Sequence, residues 1–214
     1  MTLDQIAYAL LELLREGAIS DDERIDIRLL YSFITTKRAE YLRQRANTGE
    51  YVSENNKQEY SVDISQLKIT EPFYFAKSTN EVPQPMTSKY GFQISEIADA
   101  DIFETYPFSV VGPNHIRYVG NGVFNENEIY VTYRDKHLYF KTRNTDFRDV
   151  DSIVIRAVFE NPQDIPGFDA DVDSYPIDLD GIEYLKQEVM SKDFSIFLNG
   201  RADEINDGSG EIKS

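Results

Sequence analysis

From Ser20 to Asn47 the chain reads SDDERIDIRLLYSFITTKRAEYLRQRAN, and no other stretch limits the fold as much. Ser20 can accept from the first free backbone N–H groups, Glu23 can reach back to it as a capping box, and Asp21 and Asp22 stand where a helix dipole favours anions. Ile27, Leu30, Tyr31, Ile34 and Tyr41 then recur at helical spacing, while Arg24, Arg28, Lys37, Arg38, Arg43 and Arg45 fall mostly on the other side. The spacing predicts one helix of roughly 28 residues, about 40 Å long at the usual rise. A rod that long exceeds what this chain needs for its own core. Its cationic side reads either as a strut that meets a partner or as a solvated face of snorkelling arginines.

The residues before it determine how the rod is packed. Thr2 and Gln5 offer a capping box, Leu3, Ile6, Ala7, Leu10, Leu13 and Leu14 form an apolar stripe, and Gly17 supplies a left-handed stop. Between Gly17 and the Ser20 cap stand only Ala18 and Ile19, so the two helices must fold back as an αα-hairpin, stripe against stripe. The apolar run of this opening carries Asp4, Glu12 and Arg15 and lacks a basic leader, so it reads neither as a signal peptide nor as a membrane span.

After Ala46 the pattern changes. Asn47 to Gln58 is polar and rich in turn formers, and strands follow: Tyr60 to Thr70, a short one at Pro72 to Phe75, Phe108 to Gly112, His115 to Val119, and Ser152 to Phe159. Ile94 to Phe103 can be read as one or two helical turns. The clearest hairpin joins Glu128–Arg134 to His137–Arg143 across the two-residue turn Asp135-Lys136. So many short strands pack most economically as a small antiparallel sandwich or barrel. Helix returns late, with Asp178 as cap and Leu179 to Leu198 as body, where Ile182, Leu185, Val189 and Ile196 lie near one face. That face needs a partner, and the amino-terminal hairpin offers one. The expected class is therefore α+β: a helical hairpin (1–50), an inserted β domain (58–162), an acidic loop and helix that complete the bundle (163–200), and an extended carboxy-terminal arm (201–214).

A formal charge of −16 argues against a reader of nucleic-acid sequence, because such surfaces neutralise phosphates with Lys and Arg; it allows a wall past which DNA slides. Ten carboxylates lie between Asp149 and Glu183 against the single cation Arg156, so the basic stretch 20–47 has an acidic counterpart in its own chain. Opposite charges on separate elements suit stacked or side-by-side self-assembly as well as pairing within one chain.

Catalytic patterns are sparse. Cysteine is absent, which removes disulfides and thiolate metal sites, and the two histidines, His115 and His137, have no acidic or nucleophilic neighbour at a recognised spacing. Asp169, Asp171 and Asp173 alternate like the start of an EF-hand, with Asp180 in twelfth place. But Ser174 stands where glycine is needed and Pro176 intrudes, which favours a solvated acidic loop over a calcium site. No cofactor is expected. Two other functions fit the composition: a carbohydrate-binding β-sandwich using Tyr106, Tyr118, Tyr130, Tyr133 and Tyr139 as a platform, and a hydrolase built on paired carboxylates.

Tyr175-Pro176-Ile177 leading into GIEYLKQEVMSKDFSIFLNG, the polar RADEINDG that follows, and the opening MTLDQIAYALLELLREGAISDDERI together resemble the head-to-tail connector adaptors of short-tailed phages. These are the tail tubular A or tail accessory type, and the likeness is greatest to the first ring protein of crAss-like phages. It covers the two ends of the chain; the middle matches only as a generic β insertion. The resemblance implies a structural virion protein of the head–tail neck, assembled in the host cytoplasm and without enzymatic activity. It implies a homo-oligomeric ring, commonly of about twelve copies whose weak contacts sum. The ring would sit beneath the portal protein, carry the next tail or ring protein, and pass double-stranded DNA without binding it specifically; no membrane is involved. The assembly residues so implied are Arg201, Ile205, Asn206, Asp207 and Ile212 of the arm, beside Arg24, Arg28, Lys37, Arg38, Arg43 and Arg45 of the long helix.

Overall fold

The structure is a computed structural model that describes residues 1–17, 26–99, 105–121 and 127–191. Two compact units arise: Met1–Leu42 with the described residues from Asp169 on, and Arg43–Phe168. The class is α+β, with the amino-terminal helix pair packed against the carboxy-terminal helix in the first unit and a mixed sheet in the second.

In the helical unit α1 (Leu3–Gly17) starts with the reciprocal cap its sequence specifies: Gln5 N donates to Thr2 Oγ1 at 3.2 Å, and Thr2 N to Gln5 Oε1 at 3.1 Å. Leu3, Ile6, Ala7, Leu10 and Leu14 of its stripe are buried. Helix α2 (Ile27–Thr48) is shorter than expected: its first described turn is capped by Asp26, whose Oδ1 accepts from Arg28 N at 2.9 Å. The capping box at Ser20 and Glu23 lies outside the described residues. At 22 residues the helix is about 33 Å long. Leu30, Phe33, Ile34, Arg38, Tyr41, Leu42 and Ala46 form its buried stripe. Helix α3 (Leu179–Val189) starts at the expected cap, where Asp178 Oδ1 accepts from Gly181 N at 2.8 Å. It ends nine residues before the expected Leu198, because Met190 N turns back onto the carbonyls of Glu188 and Lys186 and Ser191 Oγ donates to Glu188 O at 2.6 Å. The expected arm, 201–214, lies outside the described residues.

Among the described residues the second unit has nine strands: β1 (Gln58–Thr70), β2 (Phe73–Ser78), β3 (Thr87–Ser88), β4 (Gly91–Phe92), β5 (Ile94–Asp99), β6 (Phe108–Val110), β7 (Ile129–Arg134), β8 (His137–Thr142) and β9 (Ser152–Ala157). Seven form one sheet in the order β5-β9-β1-β2-β8-β7-β6, and β3-β4 is a separate ribbon. β1 joins the halves of the sheet: Gln58–Asp63 pairs with β9, Ile64–Thr70 with β2. Tyr106 N donates to Ile97 O at 2.9 Å, so the chain leading into β6 meets β5 and the sheet nearly closes into a barrel. Its interior holds Val62, Ile97, Ile129, Val131, Leu138, Phe140, Ile153, Ile155 and Phe159.

Three local expectations change. Ile94–Asp99 is a strand, not a helical turn: a bulge between Ile94 and Glu96 turns both Ile94 and Ile97 inward, and that three-residue spacing imitates a helix. His115–Val119 is not a strand; His115 N donates to Gly112 O and Tyr118 N to His115 O, which makes successive turns. The sheet is also not wholly antiparallel, since β6 runs parallel to β7. The hairpin β7–β8 forms as expected, with Asp135 at φ 51° and Lys136 at φ 62°, the two positive values of a type I′ turn.

Candidate functional site

Within the helical unit the cations of α2 turn mostly toward their own chain. Arg38 is fully buried; its Nε donates to Pro176 O at 2.7 Å and its guanidinium lies 5.7 Å from the centre of the Tyr175 ring. Burial pushes its pKa down, while Tyr175 and Asp178 act to hold the charge. Asp178 Oδ1 accepts from both Gly181 N and Tyr41 O–H, at 2.8 and 3.1 Å, and Tyr41 stacks on Tyr184 with centroids 5.4 Å apart. Gly181 is required here: a Cβ would stand 2.6 Å from Ile177 Cγ1 and 3.0 Å from Tyr41. Arg38 therefore ties segment 175–178 to α2 from a fully buried position. The one sequence signal against a surface position was its spacing, four residues after Ile34 and four before Leu42.

Lys37 Nζ lies 2.9 Å from both Glu40 and Glu188, and these carboxylates, Glu40 foremost, push its pKa up. In the β-rich unit Arg43 pairs with Glu160 at 3.0 Å and Arg45 with Glu50 at 3.2 Å. Arg28 is exposed. Arg24 and the arm residues Arg201, Ile205, Asn206, Asp207 and Ile212 lie outside the described residues. Of the acidic stretch 149–183, Glu160 pairs with Arg43 and Asp178 acts on Arg38, while the other carboxylates named here lie outside it.

The three aspartates of the acidic loop do not converge. Asp169 Oδ1 accepts from Asp171 N at 2.9 Å and Asp173 Oδ2 from Asp169 N at 2.8 Å, so two of the carboxylates close turns on the loop's own backbone. Among the described residues no cluster of His, Asp and Glu is arranged to hold a metal ion. His137 Nδ1 rests 3.2 Å from Ser78 Oγ, but that serine is buried and accepts from Leu138 N, a structural position.

Of the platform tyrosines, Tyr106 packs edge-on to Phe147, Tyr130 is buried, and Tyr133 donates to Val82 O. Tyr118 and Tyr139 instead line a cleft of about 740 Å³ on the outer face of β2, β7 and β8, beneath the turns at 113–118. Sequence reasoning missed the side chain that ties these turns to the sheet. Lys141 is 3% exposed, and its Nζ donates to Val119 O at 2.7 Å and Arg117 O at 3.2 Å while lying 4.3 Å from the centre of the Phe73 ring. Burial pushes its pKa down. Gly120, at φ 85°, lets the turn lie on Tyr130 and Phe73, where a Cβ would be 3.0 and 3.2 Å from the rings. The only sequence signal for this was a lysine at an alternating strand position between Phe140 and Thr142.

Among the described residues this geometry assembles no nucleophile, general base or metal site; it presents surfaces. Among the described residues no helix is long and apolar enough to cross a membrane. The profile of phage tail ring protein 2, a family of crAss-like phages, matches residues 5–211. No curated protein matches the sequence. The match spans nearly the whole chain, so the chain belongs to this family of structural ring proteins of the phage tail, ring protein 2 where the resemblance pointed to a first ring protein.

Proposed function

We propose that this tail ring protein forms a closed homo-oligomeric ring, of about twelve copies, in the neck of the virion below the portal. There it would extend the DNA channel and offer a platform to the next tail component. Membership of the ring family carries the reading. Charge supports it: Lys37, Arg38, Arg43 and Arg45 are engaged by their own chain, which leaves a protein of net charge −16 with few free cations on its long helix. A lumen of that character repels phosphate and lets DNA pass without being held. Arg24, Arg28 and the arm residues Arg201, Ile205, Asn206, Asp207 and Ile212 are the proposed contacts between subunits or with the portal.

Negative-stain imaging of the purified chain with portal protein tests this. Closed rings stacked on the portal are expected. A monomer that neither closes into rings nor binds the portal would overturn the proposal. Deleting Arg201–Ser214 is expected to weaken stacking, and unchanged portal binding would remove the arm from the interface.

A further inference from the structure

The cleft roofed by the 113–118 turns is unlike the rest of this acidic molecule. It is walled by the rings of Phe75, Tyr118 and Tyr139 and edged by Arg117 and Arg134, and Lys77 Nζ stands 5.7 Å from the centre of the Tyr139 ring. Among the described residues Asp135 is the one carboxylate on its lining, and it pairs with Arg134 at 3.1 Å. Tyr118 is 77% exposed. Thr132, also on the lining, is buried with its hydroxyl unpartnered, and a polar group entering the cleft would relieve that cost. Cations beside exposed aromatic rings select an occupant that is acidic and carries an apolar tip.

The chain has such an element. At Asp169-Ala-Asp171-Val-Asp173 the turn bonds of Asp169 and Asp173 fix the backbone, Val172 stands 75% exposed at the tip, and Asp171 is exposed beside it. A preformed loop loses little entropy on docking. A cyclic ring needs two different, mutually complementary patches on every copy, since each subunit presents one to the neighbour ahead and the other to the neighbour behind. Resting on the ring reading above, we propose that the cleft of one copy receives the 169–173 loop of the next. Val172 would lie between Tyr118 and Tyr139, and Asp171 would meet Arg117 and Arg134.

The chain lacks cysteine, so introduced thiols report on this contact alone. Under mild oxidation the full-length Tyr118→Cys/Val172→Cys variant is expected to give a ladder of covalent oligomers on a denaturing gel, while either single variant stops at dimers. Rings that form without the ladder would overturn this contact and leave the ring reading standing. A ladder without closed rings would keep the contact and overturn closure, and neither product would overturn both. Arg117→Asp/Arg134→Asp is expected to reduce ring formation at least tenfold, with partial recovery on adding Asp171→Arg. If that variant keeps its rings but no longer binds the portal, the cleft belongs to the portal and the proposal fails.

Discussion

In the helical unit buried polar groups join residues far apart in sequence alongside the apolar stripes; in the β-rich unit the buried interior that does so is apolar. Arg38, Tyr41 and Tyr31 on α2 reach Pro176, Asp178 and Asp4 through hydrogen bonds, and Tyr175 N closes on Met1 O at 2.9 Å. The barrel instead joins β1 to β9 and β2 through a ladder whose inward positions are Val, Ile, Phe and Ala. Apolar burial is non-directional and tolerates some repacking, whereas a buried guanidinium is satisfied in one arrangement only. The helical unit gathers two ends of the chain, and a polar lock suits that task because it rejects a slipped register of α3 on α2.

The largest effect that would break this contrast is expected from Arg38→Ala. It leaves the Pro176 carbonyl unpaired and opens a void, and should cost about 4 kcal/mol, seen by hydrogen exchange as faster opening of α1 and α3 while β7 and β8 stay protected. A loss below about 1 kcal/mol would mean the lock is ornamental. Leu138→Ala, fully buried in the barrel, should cost about 3 kcal/mol and reverse the pattern, opening the sheet first.

Alkaline pH should separate the units further. Tyr31, Tyr175 and Tyr184 in the helical unit have pKa values pushed up, chiefly by burial, and Lys37 is held up by its carboxylates. In each case the unfolded chain releases its proton first, so stability is intact below about pH 10 and falls as pH rises beyond it. In the β-rich unit Tyr60 and Tyr133 shift the same way, but Lys141 is lowered and contributes stability that grows as pH approaches the ordinary lysine value. Exchange measured between pH 9 and 11 should therefore show the helical unit opening first; simultaneous loss would erase the distinction. The smallest effect is a gain. Asp135→Asn with Lys136→Gly relieves two positive φ values and should stabilise the hairpin by about 0.5 to 1 kcal/mol in urea unfolding, with the helical unit unchanged.

Much of this was readable where the determinant is local. The Thr2–Gln5 cap, the Asp178 cap and the β7–β8 hairpin each depend on residues within a few positions of one another. Features that depend on partners distant in sequence misled. Arg38 read as a surface cation because its satisfying carbonyl lies 138 residues away, and Ile94 with Ile97 read as helix because the bulge shows only against β9.

By itself the sequence determined that the three helices and the β7–β8 hairpin form, the caps that start α1 and α3, and a charge unsuited to holding DNA, since periodicity, capping and net charge are properties of neighbouring residues or of simple sums. Tertiary structure alone decided which cations their own chain engages, that Lys141 would hold the carbonyls of Arg117 and Val119, and that β1 would serve two neighbours and the sheet nearly close. Those outcomes depend on desolvation and on pairing across long loops, and neither has a signature in any short stretch of chain.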